Sequence, residues 1–86
     1  MDDMEIYNRL AILPQEIQAA ENEKLQCEQM LGLFWEHPPA LDPEVVGRRM
    51  QLLRNRIRDL EHRISGLLQE QNFLIVCAIE HGRQRH

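Results

Sequence analysis

Histidine, cysteine and acidic side chains are the residues of this chain whose types suit catalysis or metal binding. Glu80, His81 and His86 lie close together near the C-terminus, where they could bind a metal ion adventitiously, and Cys27 and Cys77 stand far apart in the sequence. Neither set has the short, defined spacing of a zinc ligand pair. We therefore predict two free, buried thiols and a polar C-terminal tail, with no metal site.

Sequence motifs of enzymes are missing from the chain. It has no Gly-rich phosphate loop, no nucleophile elbow and no His-Glu-x-x-His pattern. His37 and His62 are isolated histidines, which are typical of solvated surface positions. The sequence therefore predicts a protein that is not an enzyme, with no catalytic or cofactor-binding residues and no cofactor.

Arginines are concentrated in one stretch, and clustered arginine is typical of a phosphate-binding surface. Residues 44–64 hold six arginines and three acids, although the whole chain has a formal net charge of −4. The negative balance argues against nucleic acid as the default partner. An RNA- or DNA-binding regulator remains the alternative function because three arginines lack an evident partner: Arg48, Arg49 and Arg58.

Composition limits the class of protein. The chain has 86 residues, of which 43% are hydrophobic and 5% aromatic, so we expect one small domain covering residues 1–86. No apolar run approaches the roughly 18 residues that a membrane span needs. Because the chain opens Met1-Asp2-Asp3 rather than with a basic and apolar leader, we expect a cytoplasmic protein without membrane contact.

Two long helices must position these residues. Apolar side chains recur in alternating steps of four and three from Ile6 to Phe34 and again from Val46 to Ala78, which is a heptad pattern. We call these positions the seam; its two polar members, Lys24 and Gln71, are interpreted as determinants of register. Pro14 interrupts neither phase nor spacing and predicts a kinked but continuous helix or two coaxial segments.

A proline-rich break separates the two helices. His37-Pro38-Pro39 cannot continue a helix, and Asp42-Pro43-Glu44 has the N-cap, first-turn proline and acid of a helix start. The sequence thus predicts an all-α chain that folds into a long antiparallel helical hairpin, a two-helix coiled coil. Its segments are helix 3–36 with a kink at 14, loop 37–42, helix 43–80 and frayed tail 81–86.

Charges beside the seam indicate the register of the hairpin. If the chain folds about residue 40, oppositely charged residues face each other at several levels, although Glu21 would face Glu61 unfavourably. The expected favourable pairs are Arg9–Glu70, Glu16–Arg63, Glu23–Arg56 and Glu28–Arg54, with Met30 facing Arg49.

Apolar residues away from the seam predict a further partner, because a single hairpin leaves them in water. They form a loop-end patch and an open-end patch, and a two-fold antiparallel homodimer would cover both as a four-helix bundle. A different protein, or residues 2–13 of the same chain, are the alternative cover for the open end. The predicted interface residues are Met30, Leu33, Phe34, Trp35, Phe73, Ile75, Val76 and Ile79.

The function expected from these features is a small protein–protein interaction module, such as an adaptor, assembly chaperone, inhibitor or regulator. Its partners would be a second copy and an unidentified protein. A dimer of helical hairpins also resembles, in architecture, the Rop family of small RNA-binding bundles. That resemblance covers the topology of most of the chain and no motif residue, so it implies a fold and no binding residues.

Overall fold

The computed structural model describes residues 2–84, which form two helices joined by one loop. Helix α1 spans Asp3–Glu36 and helix α2 spans Pro43–Gln84. The helices pack side by side into a rod with extents of 67 × 15 × 15 Å. The predicted all-α helical hairpin is confirmed. No helix within residues 2–84 combines the length and the hydropathy required to cross a membrane.

Helix α1 begins and ends where its capping residues place it. The Asp2 side chain accepts a hydrogen bond from the backbone N–H of Glu5 at 2.8 Å, which satisfies one of the unpaired donors of the first turn. At the other end, the N–H of His37 donates to the carbonyl of Leu33 at 2.7 Å. The helix is continuous through Pro14, and a bend at that residue stays a prediction.

Helix α2 begins at the predicted cap. Asp42 accepts from the N–H of Glu44 through its side chain at 2.8 Å and from the N–H of Val46 through its carbonyl at 3.0 Å. The helix continues to Gln84, whereas the sequence placed its end at 80 and a frayed tail over 81–86. A hydrogen bond between the His81 ring and the Asp3 carboxylate joins this last part of α2 to α1. Residues 85 and 86 of that tail lie outside the described residues.

The core is the seam itself. Every described side chain that is fully buried occupies a seam position, and no polar side chain among them is buried. Lys24 and Gln71 are half-buried, so their polar ends reach the rim of the seam. The buried residues are Ile6, Leu13, Ala20, Met50, Leu60, Leu67 and Leu74.

A cluster of buried residues fills the interior at the open end of the hairpin. Ile6 and Leu13 of α1 cluster there with Leu67 and Leu74 of α2. Partly buried neighbours complete the cluster: Leu10, Ile17, Cys77 and Ala78. Both cysteines are free and partly buried, as small hydrophobic residues rather than as a disulfide.

Candidate interaction faces

The seam leaves the hairpin with two opposite flanks, because residues seven apart in a coiled coil lie on the same side of their helix. We name each flank after its most prominent aromatic residue. The Phe73 face contains Arg9, Glu16, Glu23, Met30, Leu33, Arg49, Leu52, Arg56, Arg63, Glu70 and Phe73. The Trp35 face contains Met4, Tyr7, Glu21, Glu28, Trp35, Arg54, Arg58, Glu61, Leu68, Ile75 and Ile79.

Ion pairs across the seam run along the Phe73 face. Nε of Arg9 donates to Glu70 at 2.6 Å, and Nη1 of the same guanidinium donates to Glu16 at 2.8 Å. Nearer the loop, Nε of Arg56 donates to Glu23 at 2.5 Å. The Arg9 hydrogen bonds hold the pKa of both Glu16 and Glu70 below their ordinary values. The Arg56 hydrogen bond does the same to the pKa of Glu23.

On the Phe73 face, the ion pairs keep the expected register and differ from the expected pairing at one residue, Glu16. The Arg9–Glu70 and Glu23–Arg56 pairs form as predicted, but the predicted Glu16–Arg63 pair is wrong. Glu16 is bound by Arg9 from its own helix, and Arg63 acts on it only through space. Arg9 can reach both carboxylates because its planar guanidinium presents several donors in different directions.

Two shallow hollows open at the loop end of the Phe73 face. One has a volume of about 310 Å³ and is lined by Met30, Phe34, Arg49, Leu52 and Leu53. The other, of about 270 Å³, is lined by Met30, Leu33, Phe34, His37 and Pro39. Both linings are almost wholly apolar, so these hollows suit an apolar side chain rather than a reacting group. The predicted proximity of Met30 and Arg49 is confirmed.

The Trp35 face has a different polar pattern. The guanidinium of Arg54 lies 5.9 Å from the centre of the Trp35 ring, which is within range of a cation–π interaction. The predicted Glu28–Arg54 pair is not among the ion pairs of residues 2–84, so that expectation is wrong. Glu61, which was expected to oppose Glu21, instead lies 3.7 Å from Nζ of Lys24.

The open-end half of the Trp35 face carries no charged residue at its flanking positions. On α1 these positions hold Met4, Tyr7, Ala11, Pro14 and Gln18, and on α2 they hold Ser65, Leu68, Asn72, Ile75 and Ile79. The five large apolar residues of this group are exposed, with 43% to 66% of their surface accessible to solvent. They are Met4, Tyr7, Leu68, Ile75 and Ile79.

The structure divides each predicted interface patch between the two faces. At the loop end, Met30 and Leu33 lie on the side of the Phe73 face while Trp35 lies on the other, and Phe34 is half-buried in the seam. At the open end, Phe73 lies on the Phe73 face and Ile75 and Ile79 lie on the Trp35 face, whereas Val76 lies opposite the seam, between the two faces. All four side chains are exposed. This division follows from the roughly 100° of rotation per helical residue.

Sequence reasoning overlooked several exposed apolar residues. Tyr7, Leu68 and Leu52 are 50%, 43% and 64% exposed and stand beside the residues that were predicted. Their heptad positions carried the signal, because Leu68 precedes Ile75 by one heptad and shares its face. Sequence reasoning grouped apolar residues that are close together in the chain instead of residues that share a helix face, and so it missed these residues.

The three arginines proposed for nucleic-acid contact do not form one stripe. Arg48, Arg49 and Arg58 are exposed and make no ion pair within residues 2–84. Arg49 and Arg58 are nine residues apart, so they lie about 180° apart around α2. Within the same described range, no three His, Cys, Asp or Glu side chains form a group suited to holding a metal ion.

Comparison with known proteins identified no relative of this chain. No protein-family model matches the chain, and neither a curated protein nor a solved structure is similar enough to count as a match.

Proposed function

We propose that this protein is a small, non-enzymatic interaction module of the cytoplasm that binds other proteins by packing helix faces. Its first partner is a second copy of the chain, with which it forms a four-helix bundle. The bundle then serves another protein as adaptor, assembly chaperone, inhibitor or regulator. The observation that carries this proposal is that, within residues 2–84, fourteen large hydrophobic side chains are exposed, against seven hydrophobic residues buried in the seam.

Exposure on this scale costs free energy that association recovers. Fully burying one large apolar side chain contributes roughly 1.5–3 kcal/mol. A hairpin only 15 Å across has no second layer to provide that burial. Docking of a helix pair against either face supplies the missing layer, and the ion pairs beside the seam keep each hairpin in register while it docks.

Sedimentation equilibrium at micromolar concentration tests the self-association. The expected result is a single species of twice the 10.2 kDa chain mass. A monomer across that concentration range contradicts the proposal. Helicity measured by circular dichroism on the same samples shows whether a monomeric result comes from a folded hairpin or from an unfolded chain.

A nucleic-acid-binding regulator is the second candidate, favoured by the unpaired, exposed guanidinium groups of Arg48, Arg49 and Arg58. Phosphate binding through these groups weakens steeply as salt rises, because bound counterions are released. Retention on heparin at low salt, lost in an Arg48→Glu and Arg58→Glu double variant, supports this candidate. Elution of the wild-type chain without retention removes it.

A further inference from the structure

We infer that the Trp35 face is the surface on which a second copy docks, with the two loops at the same end of the bundle. This inference deepens the proposed function and rests on it. It assigns a face and an orientation to the self-association. A second copy is the inferred partner because each half of the face is complementary to the same half of another copy. One half is uncharged, and the other carries opposite charges on its two helices.

The uncharged half provides the apolar contact. Tyr7 of α1 and Leu68 and Ile75 of α2 are exposed at the centre of this half, flanked by Met4 and Ile79. None of the flanking positions of this half carries a charge, so a matching apolar surface can cover it without desolvating an ion. The same half-face of a second copy is such a surface.

The loop-end half provides the orientation. Its α1 edge is acidic, with Glu21 and Glu28. Its α2 edge is basic, with Arg54 and Arg58, because the remaining charge there, Glu61, lies 3.7 Å from Nζ of Lys24 in the same chain. The two glutamates of the α1 edge and the two arginines of the α2 edge form no ion pair with one another in the hairpin. When two copies stack on this face with their loops together, α1 of each copy lies over α2 of the other. The acidic edge of one copy then faces the basic edge of its partner.

The register of the hairpin sets the level of these contacts. The observed Arg9–Glu70 and Glu23–Arg56 pairs place Glu21 level with Arg58. Because the loops-together dimer keeps both copies at the same height, Glu21 reaches the partner's Arg58 at that level. Within a single chain, Arg58 lies on the outer side of the face, away from α1.

The opposite orientation places unlike halves in contact. With the loops at opposite ends, the charged half of each copy lies over the uncharged half of the other. Arg58 and Glu28 would then lose hydration against apolar side chains without gaining an opposite charge, which is costly. Complementarity therefore favours loops together on this face and revises the antiparallel dimer expected from the sequence.

The Phe73 face is less suited to a second copy. Its central positions carry ion pairs that are already formed within the hairpin, by Arg9 with Glu16 and Glu70 and by Arg56 with Glu23. They also carry Arg63, a further charge that a covering copy would desolvate. Covering those charges removes water from ion pairs that gain no new partner. The Trp35 face is also large enough, since a surface 67 Å long and 15 Å wide offers about 1,000 Å² per copy against the roughly 800 Å² of a standard interface.

A matched pair of leucine variants tests the face. Leu68 is 43% exposed on the Trp35 face and Leu52 is 64% exposed on the Phe73 face, both on α2. We expect Leu68→Glu to raise the dimer dissociation constant at least about tenfold and Leu52→Glu to change it less than about threefold, with equal helicity in both. An equal effect of the two variants, or a larger effect of Leu52→Glu, overturns the assignment of the face.

A spin label in the loop tests the orientation. In a Cys27→Ala and Cys77→Ala background, Ala40→Cys places a single label at the exposed bend. With loops together, adjacent helix pairs about 10 Å apart bring the two labels within about 30 Å of each other. Loops at opposite ends of a 67 Å rod separate them by about 60 Å. A double electron–electron resonance distance of the longer kind overturns the orientation.

The outcomes separate the inference from the proposal beneath it. A wild-type chain that sediments as a monomer contradicts self-association and the docking face together. A wild-type dimer that responds to Leu52→Glu, or that shows the long label distance, leaves the interaction module standing and removes only this face or this orientation.

Discussion

Arg9 and Glu70, at opposite ends of the sequence, are joined by a hydrogen bond of 2.6 Å between Nε and a carboxylate oxygen. The same guanidinium donates to Glu16 from its own helix. One side chain therefore ties the first part of α1 to the last part of α2 and fixes the register of the hairpin near its open end. Both carboxylates stay partly accessible to solvent, so the interaction contributes more to specificity than to stability.

Replacing Arg9 removes two contacts at once. We expect Arg9→Gln to lower the midpoint of thermal unfolding more than Glu70→Gln does, because Arg9 keeps Glu16 in the second variant. The Arg9→Gln and Glu70→Gln double-mutant cycle, followed by circular dichroism, measures the coupling between the two residues. Strict additivity would show that the pair adds nothing to the folded state.

Acid weakens the hairpin through three carboxylates. Hydrogen bonds from Arg9 lower the pKa of Glu16 and Glu70, and one from Arg56 lowers the pKa of Glu23. The stabilisation is present above the unfolded-state pKa of about 4.3 and is lost as pH falls through each lowered pKa. Urea unfolding should show constant stability near neutral pH and a decline below about pH 4.5.

A glutamine variant checks the origin of this decline. Glu70→Gln removes one of the three carboxylates, so its stability should fall less steeply with acid than that of the wild-type chain. If Glu70→Gln loses stability with acid as steeply as the wild-type chain, groups other than Glu70 cause the acid sensitivity.

Burial predicts very different costs for two leucines of α2. Leu60 is 2% exposed in the seam and Leu52 is 64% exposed. Leu60→Ala should cost about 2–5 kcal/mol through lost burial and a cavity, whereas Leu52→Ala should cost no more than about 0.5 kcal/mol. Urea unfolding monitored at far-ultraviolet wavelengths measures both values. Similar losses in the two variants would place the stabilising contacts outside the seam.

Gly66 lies inside α2 with open space around it. An added Cβ there meets no atom within 4 Å, and the same holds at Gly32. Neither glycine is therefore a point at which the two helices of the hairpin approach each other closely. Gly66→Ala should stabilise the hairpin by about 1 kcal/mol, because alanine gains helix propensity without a clash. Destabilisation in the unfolding measurement would reveal a close neighbour supplied by another chain.

Local rules were sufficient for the architecture. The Asp42 cap, the break at Pro38 and Pro39 and the heptad spacing predicted where each helix lies and which face is buried. Caps and prolines act within one turn of a helix, and the heptad pattern repeats along it, so both can be recognised from the sequence alone. Pairs such as Arg9–Glu70 followed because a hairpin with a short loop has few alternative registers.

The partners of long, flexible side chains could be identified only from the tertiary structure. Glu16 lies beside Arg9 instead of Arg63, and Arg54 lies over Trp35 instead of meeting Glu28. Each long side chain has several partners within reach, and the choice depends on rotamers and distances that no spacing rule contains. The contact of His81 with Asp3 likewise joins two residues from opposite ends of the sequence.

The sequence by itself determined that this chain forms two helices, that they fold back at the proline break and that one apolar stripe joins them. It also showed that apolar side chains are left over. The heptad positions also place Phe73 and Ile75, which are close in the chain, on opposite faces of the protein. Only the tertiary structure decided how much of each of these side chains stays exposed and which partner each long charged side chain meets, because several partners lie within reach of every such side chain.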